Sequence, residues 1–524
     1  MGSRQLWRWW WWLPVLLLAC WGALACWAKG DYSFAAIILF AAASAISIFS
    51  RRGHIGWRFL YPALLGSFIF MLLPLLLTVG YAFTNHSNGH QLPLKAAIHY
   101  LLDQTILTAN ERLTLRIEPV DGDQYRLWLQ QADGGALATA PFALKHDSGG
   151  AVIGPRRLAV SPQPGPLPDG LGLREQAPLR PLLKALVLVR GDGQELRLLG
   201  MREFAPLIPA YRADLPPPVA LAGISPLVYE QASGHWYAAN FERGFFERLD
   251  PRGQFSGQQI NPGFVTNVGL DNFRLIASKG ESGELVPRLG LFTLVLAVVT
   301  VVLSFGIGLP LAALLLWPRL PFARLFRAIT LLPMAVPMFV TVAVLASMFS
   351  VEHGVVNLLL GQLMREPPQW FVSPVATQLL LIGVSVWLAT PYAVMVGMGL
   401  IQSVSPELFE AAVLDGAGPV RRFVHVTLPL VWPALIPLLL SSFAFHFNNF
   451  GLVLLLTGGN PMFEDSFTMA GHTDTLLSYA YFLAFGLGGR EIALASAYNL
   501  LLFPLLIVLV GAQLWWVRRS RGGL

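Results

Sequence analysis

The stretch LGLFTLVLAVVTVVLSFGIGLPLAALLLW, residues 289–317, contains no charged side chain. A helix needs roughly 20 apolar residues to cross the hydrocarbon core of a bilayer. This stretch is longer than that, and longer than the apolar face of a helix in a soluble domain would require. It therefore predicts a transmembrane helix, and other apolar segments of similar length can be sought in the rest of the chain.

The composition of the whole chain agrees with a membrane protein. The 524 residues are 55% hydrophobic and 13% charged, whereas a soluble domain is about one quarter charged. The net charge of +6 could indicate nucleic-acid binding, but the arginines lie at the ends of apolar runs, as the positive-inside rule predicts for membrane proteins. The two cysteines, Cys20 and Cys26, share the first apolar run, so no disulfide framework is predicted.

Eight apolar segments have about the length of a membrane span. They are residues 11–29, 34–50, 57–83, 289–317, 325–350, 374–401, 431–457 and 491–516. The first is predicted to be a retained helix. A cleaved signal peptide is the alternative, because Arg4 and Arg8 precede the run and the small residues near Ala25 would permit cleavage.

The arginines between these segments predict the orientation of the chain. With eight spans, five clusters fall on one side of the membrane, and the positive-inside rule makes that side the cytoplasm. Both termini are then cytoplasmic. The clusters are Arg4 with Arg8; Arg51, Arg52 and Arg58; Arg319, Arg324 and Arg327; Arg421 with Arg422; and Arg518, Arg519 and Arg521.

Residues 84–288, between the third and fourth spans, are more polar and are predicted to lie outside the cytoplasm. Two regions of this segment alternate apolar and polar residues as strands do. Each region contains a turn dipeptide, Asp121-Gly122 in the first and Asp192-Gly193 in the second. Asp-Gly between alternating apolar residues is typical of a β-hairpin. A small β-rich domain that docks a partner is therefore predicted, and a solvated spacer is the alternative.

The loop at residues 402–430, between the sixth and seventh spans, contains SPELFEAAVLDGAG at 405–418. Ser405 is a suitable helix N-cap and Pro406 suits the first helical position. Gly416 can end the helix in a left-handed conformation. A second short segment runs from Pro419 to Thr427. The pattern predicts two short helices joined by a glycine-rich bend.

This loop resembles the EAA loop of binding-protein-dependent ABC importer permeases. The resemblance rests on Glu410-Ala411-Ala412 and Asp415-Gly416-Ala417, followed by Phe423 and Leu428-Pro429. In that family the loop is a coupling helix seated in a cleft of a separate ATPase. The resemblance implies that the residues that dock on the ATPase and couple to it are Glu410, Ala411, Ala412, Asp415 and Gly416. The alternative is an ordinary amphipathic loop helix.

The resemblance extends to the maltose/maltodextrin permeases of that family over nearly all of the membrane part, and it is thin in 84–288. It is carried by several short stretches: Trp57-Arg58 with Tyr61-Pro62, 82–85, Pro391-Tyr392, 398–400, 442–445, 447–450 and Leu456-Thr457. It implies an all-α polytopic membrane protein of about eight transmembrane helices with an inserted β-rich periplasmic domain. The parts are three N-terminal helices at 1–83, the domain at 84–288 and a permease core at 289–524.

The resemblance also implies partners. These are a second, smaller permease subunit, an ATPase dimer and a periplasmic sugar-binding protein. No cofactor is expected on this chain, since ATP and magnesium would be used by the ATPase.

A possible sugar site lies on the seventh span, where Ser442, Phe445, His446 and Asn449 have the spacing of one helical face. Polar groups within a membrane are costly unless they meet a partner or a water-filled cavity. Such groups can also join helices by hydrogen bonds, and the residues alone leave both interpretations open. The resemblance implies that these four residues, with Leu388 and Tyr392, contact maltose.

Two positions depart from the relatives that the chain resembles. His446 stands where they have Asn, and Ala389 stands where they have Gly. An imidazole is larger than an amide, and Ala389 adds a methyl group near the expected pocket. The preferred sugar is therefore open, and another di- or oligosaccharide is an alternative to maltose.

Other functional classes have less support. No Gly-x-x-x-x-Gly-Lys-Ser/Thr motif occurs, so ATP hydrolysis would require another subunit, and the chain is not expected to be an enzyme. A secondary transporter would carry repeated halves and acids within its spans, which here hold almost no Asp or Glu. A membrane-anchored enzyme would need an acid–base or metal cluster in its outer loop, and the sequence offers none.

Overall fold

The computed structural model describes most of the chain as two compact units, Met1–Ser87 with Asn267–Leu524, and Asn88–Thr266. The residues described are 12–28, 32–50, 55–107, 112–120, 124–131, 134–143, 145–146, 152–153, 157–163, 168, 170–172, 179, 183–184, 186–199, 203–221, 223–278, 281–464, 469–486 and 490–521. Arg4, Arg8, Arg51 and Arg52 of the predicted orientation clusters lie outside them.

The first unit is helical. The second unit contains one of the α-helices named next, α5. In chain order the helices are α1 (Trp12–Ala28), α2 (Tyr32–Ser50), α3 (Ile55–Ser67), α4 (Leu73–Ala82), α5 (Leu94–Leu102), α6 (Asp271–Ala277), α7 (Glu281–Leu315), α8 (Ala323–Ala335), α9 (Met338–Met348), α10 (Val355–Leu363), α11 (Pro374–Gln402), α12 (Pro406–Leu414), α13 (Pro419–Arg422), α14 (Leu428–Phe447), α15 (Gly451–Leu456), α16 (Leu476–Phe485) and α17 (Ile492–Arg521).

Among the described residues, five continuous helices are long and apolar enough to cross a membrane. They are Gly56–Ala82, Glu284–Leu315, Pro374–Gln402, Pro419–Phe447 and Ile492–Arg519. A π-helical turn joins α3 to α4 at Phe68–Leu72, and another joins α13 to α14 at Phe423–Thr427. The first two predicted spans are also apolar helices, but they are shorter. The predicted helical membrane part is thus confirmed, with five to six long spans.

The predicted span 325–350 is not one helix. It is divided into α8 and α9, which are bent by 97° relative to each other. Pro337 starts α9, and the residue before it, Val336, has an extended backbone (φ −95°, ψ 132°). A proline restricts the residue before it to this region, which ends the preceding helix. The predicted segment is therefore apolar and helical, but it is broken at this proline.

The centre of the first unit is the close contact between α7 and α11. A Cβ atom added at Gly308 would lie 2.6 Å from the Cβ of Ala393, and one added at Gly397 would lie 3.0 Å from the Cβ of Ala312. Small residues let helix backbones approach in membranes, where dispersion contacts hold helices together. Arg327 of α8 donates to the last carbonyl of α7, that of Leu315, at 2.6 and 3.0 Å. This pairing satisfies one of the free carbonyls at the helix end.

The second unit, 88–266, is β-rich, as predicted, and this excludes a solvated spacer. Its strands are β1 (Thr105–Leu107), β2 (Leu113–Pro119), β3 (Gln124–Gln130), β4 (Ala136–Thr139), β5 (Phe142–Ala143), β6 (Lys145–His146), β7 (Val152–Ile153), β8 (Arg157–Pro162), β9 (Val187–Val189), β10 (Glu195–Leu199), β11 (Glu203–Ala205), β12 (Leu207–Pro209), β13 (Tyr211–Arg212), β14 (Leu227–Glu230), β15 (His235–Asn240), β16 (Phe245–Leu249) and β17 (Phe255–Ile260).

These strands form two main sheets. One has eight strands in the order β2-β11-β10-β9-β8-β4-β3-β5, and the other is an antiparallel meander from β13 to β17. Both predicted hairpins are confirmed. Leu115 pairs with Leu129 across β2 and β3, although Asp121-Gly122 itself lies outside the described residues. Leu188 pairs with Leu196, and Gly193 has φ +85° in the turn between β9 and β10.

Candidate functional site

The loop between α11 and α14 begins with α12, whose start agrees with the prediction. Pro406 is in the first turn, and Ser405 precedes it with an extended backbone. The backbone carbonyl of Ser405 accepts from the amide of Leu408 at 3.2 Å. The Ser405 hydroxyl makes no capping hydrogen bond. Ser405 therefore occupies the N-cap position, but the predicted side-chain cap is not formed.

Helix α12 ends in a Schellman motif at Gly416. This glycine has φ +75°, and its amide donates to the carbonyl of Val413 at 3.0 Å. The next amide, of Ala417, donates to Ala412 at 2.9 Å. A left-handed residue with these two bonds satisfies carbonyls that the helix end would otherwise leave free. The predicted role of Gly416 as a helix terminator is confirmed.

One face of α12 is anchored to the membrane helices and the opposite face is exposed. Ala412 is 9% exposed, and Phe409 packs on a cluster of Ala312, Leu315, Val394 and Ile401 at the ends of α7 and α11. The exposed residues include Glu407, Leu408, Glu410, Ala411, Val413, Leu414, Asp415 and Gly416. Leu414 is 88% exposed. The exposed face therefore contains most of the predicted coupling residues, whereas Ala412 is part of the anchor.

The second half of the loop is also anchored. Phe423, in the π-helical turn, packs on a cluster formed by Val301, Phe305, Leu309, Ala393 and Leu435, which we call the central cluster. Thr427, at the end of the same turn, is 4% exposed. π-Helical turns within α-helices are frequent at functional sites. The first half of the loop is thus packed on α7 and α11, and the second half on α7, α11 and α14.

A cavity of about 930 Å³ lies between this loop and the ends of α7 and α11. Its walls are mostly apolar and include Pro310, Leu314, Trp317 and Phe423. Glu410 and Arg422 also line it. Among the described residues neither side chain forms an ion pair, and the Nε atom of Arg422 is buried without a hydrogen-bond partner.

The predicted sugar residues of the seventh span are not all on one helix. Ser442, Phe445 and His446 lie in α14, which ends at Phe447. Asn449 lies beyond that end, so its predicted place on the same helical face was wrong. Asn448 is the C-cap residue, and its side-chain amide donates to the carbonyl of Ala444 at 2.8 Å. This local bond competes with continued helix, and the chain resumes as the separate helix α15.

These residues differ in exposure. Ser442 is 7% exposed and Phe445 is 67% exposed. The ring of His446 lies edge-on to Phe445, with centroids 5.3 Å apart. The backbone amide of Asn449 donates to the carbonyl of His446 at 3.2 Å. Asn449 therefore lies close to His446 although it is outside α14.

Leu388 and Tyr392 lie one turn apart on α11. Tyr392 packs on the central cluster, as does Phe443 of α14. Leu388 packs on a different cluster, which contains Leu452 of α15. Tyr392 and Leu388 thus pack on two different clusters, of which the first includes Leu435 of α14 and the second Leu452 of α15.

Sequence reasoning missed the anchoring residues and the cavity. Phe409 and Ala412 are three residues apart, a spacing that places both on one face of a short helix and could have indicated the anchor. Arg422 was considered only for orientation. The cavity is formed by segments about 100 residues apart in the chain, so no local pattern could have shown it. Within the described ranges, no group of three or more His, Cys, Asp or Glu could hold a metal ion.

Membrane-spanning helices, an inserted β-rich unit and a two-helix loop anchored beneath the spans define a polytopic transport permease. Residues 304–522 match the family described as "Binding-protein-dependent transport system inner membrane component". Residues 92–269 match the family described as "Maltose transport system permease protein MalF P2 domain".

Three relatives are each named "Maltose/maltodextrin transport system permease protein MalF". The one from Yersinia pestis is 33% identical over 510 residues, 96% of this chain and 92% of the relative. The one from Vibrio cholerae is 33% identical over 97% of this chain and 94% of its own length. The one from Escherichia coli (strain K12) is 33% identical over 93% and 91%. The chain belongs to the MalF family of transport permeases.

Proposed function

We propose that this chain is the pore-forming permease subunit of an ATP-driven importer of maltose and maltodextrins. The observation that carries the proposal is the loop at 402–430. Its helix α12 is anchored through Phe409 and Ala412 and exposes Glu410 and Leu414. An exposed apolar residue beside a carboxylate on an anchored helix suits a surface that docks a second protein.

The proposed partners follow from the family. A dimeric ATPase would use ATP and magnesium and hold the coupling loop in a cleft, with Glu410 facing a basic side chain. A second, smaller permease subunit would complete the pore. A sugar-binding protein would dock outside the membrane, on the β-rich unit 88–266. The chain itself would bind no nucleotide.

The proposed mechanism is alternating access. Closure of the ATPase dimer would displace α12, and the anchored loop would pass that displacement to α7, α11 and α14. The central cluster supports this route, because Phe423 of the loop and Tyr392 of the sugar site both pack on it. The spans would then open outward, receive the sugar, and reset after hydrolysis.

The proposed sugar site uses Leu388, Tyr392, Ser442, Phe445, His446 and Asn449. Aromatic rings can cover the CH faces of a sugar, while imidazole, amide and hydroxyl groups can bond its hydroxyls. His446 and Ala389 favour a pocket shaped differently from that of the relatives. A second candidate substrate is therefore another di- or oligosaccharide.

The proposed location is the bacterial inner membrane with both termini in the cytoplasm. Arg319, Arg324, Arg421 and Arg422 support this orientation, because they cluster at the same ends of the spans as the coupling loop. An ATPase docked on α12 would then have access to cytoplasmic ATP.

Uptake of labelled maltose into proteoliposomes tests the proposal. The vesicles contain this chain and its second permease, with or without the ATPase, and with binding protein and ATP on the appropriate sides. Uptake that requires the ATPase supports an ABC importer. Uptake driven by an ion gradient without the ATPase would instead identify a secondary transporter and overturn the proposal.

The coupling role has its own test. Glu410→Lys should weaken co-purification of the ATPase, whereas Glu407→Lys, the same change one turn earlier on the exposed surface, should weaken it less. Unchanged ATPase association and transport in Glu410→Lys would refute the proposed docking role of this residue.

A further inference from the structure

Helix α14 joins the two functional parts of the chain and contains two prolines between them. The coupling loop leads into its first turn, and the predicted sugar residues Ser442, Phe445 and His446 lie in its last two turns. Pro433 and Pro437 lie between these ends, one turn apart. A proline has no amide hydrogen and removes the bond to the carbonyl four residues earlier. The helix is therefore least resistant to bending between its two functional ends.

The carbonyl of Pro433 has lost its regular partner and accepts a hydrogen bond from another helix. In a continuous α-helix this carbonyl would accept from the amide of residue 437, but that residue is a proline. The indole Nε1 of Trp516, in α17, donates to it at 3.2 Å. Both helices belong to candidate membrane spans, and a carbonyl without a donor is costly in lipid. Trp516 therefore supplies the donor that Pro437 removes.

Gln513 reinforces this contact from the preceding turn of α17. Its side-chain amide donates to the hydroxyl of Ser441 at 2.9 Å and to the carbonyl of Pro437 at 3.4 Å. The contacts advance along α14 as they go back along α17, so the two helices are antiparallel here. Two successive turns of α17 thus hold α14 across the proline pair.

We propose that Trp516 and Gln513 are positioning residues that hold α14 in one conformation across its proline pair. When their hydrogen bonds are released, the two halves of α14 can move relative to each other. The held conformation is favoured because a released Pro433 carbonyl has no donor within its own helix. The displacement that reaches the sugar residues from the coupling loop is then set by α17, which contains neither. This last step rests on the proposed function, whereas the hold on α14 does not.

Distances between spin labels on the full-length chain in nanodiscs, without any other transport component, test the hold. The labels are placed by Leu430→Cys near the start of α14 and Leu505→Cys in α17, at side chains that are 49% and 38% exposed, after replacement of the two native cysteines. Trp516→Phe should raise the population of distances outside the wild-type peak about threefold, as expected for one hydrogen bond between membrane helices. Gln513→Leu should have a similar effect and provides a second variant.

The control is Trp515→Phe, the same change at the neighbouring residue. Trp515 is 56% exposed, and its ring contacts the guanidinium of Arg519. We expect the wild-type distance distribution in this variant. A distribution that is equally broad in Trp515→Phe and Trp516→Phe would overturn the proposal, because the effect would then not depend on the bond to α14.

Pro437→Ala tests the proposed bond more sharply, because it returns an amide that can donate to the Pro433 carbonyl within α14. Trp516→Phe should then change the distance distribution little in the Pro437→Ala background. A variant that only loosened helix packing would act equally in both backgrounds. Equal broadening by Trp516→Phe with and without Pro437, or no broadening in either, would overturn the proposal.

In the assembled transporter, the readout is the number of ATP molecules hydrolysed per sugar imported. Trp516→Phe should raise this ratio about threefold, and Trp515→Phe should leave it unchanged. A loss of stability alone would lower hydrolysis and uptake together, and an unchanged ratio in Trp516→Phe would overturn the transport part of the proposal. A wild-type complex that imports no sugar would overturn the proposed function alone, because the distance measurements contain no transport component.

Discussion

The ring of Phe305 in α7 packs edge-on against the ring of Tyr392 in α11, with centroids 6.4 Å apart and planes at 86°. Phe305 is 3% exposed and belongs to the central cluster, on which Phe423 of the coupling loop also packs. The residue predicted to contact sugar and the loop predicted to contact the ATPase thus share one packed cluster. Such a cluster is a physical route for coupling, because packed side chains resist continuous deformation.

Replacing Phe305 should therefore uncouple the two sites. Phe305→Leu removes an edge-to-face contact worth about 0.5–1.5 kcal/mol and lets the Tyr392 ring reorient. We expect sugar-stimulated ATP hydrolysis by the assembled complex to fall severalfold while ATPase co-purification is unchanged. Val302→Ala changes a residue on the same helix that is 62% exposed and serves as the control. Wild-type stimulation in Phe305→Leu would show that this contact does not carry coupling.

The α7–α11 contact should tolerate no side chain at Gly308. Gly308→Leu would place atoms within the backbone and Cβ of Ala393, and overpacking of this kind costs about 1–3 kcal/mol. Gly306, two residues earlier, has no atom within 4 Å of an added Cβ. We expect a lower thermal unfolding midpoint in detergent for Gly308→Leu and a much smaller change for Gly306→Leu. Equal midpoints for the two variants would argue against the close helix packing.

The end of the coupling helix offers a paired test of backbone conformation. Gly416→Ala forces an L side chain into φ +75°, at a cost of about 1–2 kcal/mol. Gly418 has φ −66°, and neither glycine has an atom near an added Cβ. Hydrogen exchange of residues 406–417 should be faster in Gly416→Ala and unchanged in Gly418→Ala. Equal exchange in both would mean that the Schellman motif does not hold the helix end.

Features with a local cause were predictable from the sequence. The hairpin at Asp192-Gly193 and the termination of α12 at Gly416 follow from backbone conformations that few residues other than glycine adopt readily. The long spans follow from the near absence of charge over enough residues. The β-rich unit was likewise visible in the alternation around Leu113 and Tyr125.

Features decided by neighbouring segments were not predictable. Asn448 and Asn449 interrupt a segment that is apolar on both sides, so the sequence predicts one span across them. In the structure the Asn448 side-chain amide donates to the carbonyl of Ala444 and the helix ends there. In 325–350 the largely apolar composition predicts one span, whereas Pro333 and Pro337 both disfavour a continuous helix. The arrangement of the cavity depends on contacts between distant segments.

The stability of the fold should depend on pH through Asp474, which lies in the segment after α15. Burial raises the pKa of this carboxyl from 3.8 to about 6, and hydrogen bonds from the Ser478 hydroxyl and the Gly471 amide only partly oppose the rise. A pKa that is higher in the folded chain means that protonation stabilises the fold. That stabilisation is present below pH of about 4 and is lost as the pH rises through about 6.

Asp474→Asn should remove this dependence, because an amide does not ionise. From pH 4 to pH 7, wild type should lose up to about 3 kcal/mol of stability relative to the variant, the equivalent of two pKa units. The measurement is the unfolding midpoint in detergent across that pH range. Asp271→Asn, which removes an exposed carboxylate paired with Arg274, should leave the dependence in place. A parallel pH profile for wild type and Asp474→Asn would contradict the assignment.

The central claim is that this chain couples ATP hydrolysis on a partner to sugar import. The most direct measurement is ATPase activity of the complex reconstituted from this chain, the second permease, the ATPase and the binding protein, with and without maltose. We expect maltose to stimulate hydrolysis, or another di- or oligosaccharide to do so if His446 and Ala389 have changed the preferred sugar. A fully assembled complex whose hydrolysis responds to no sugar would contradict it.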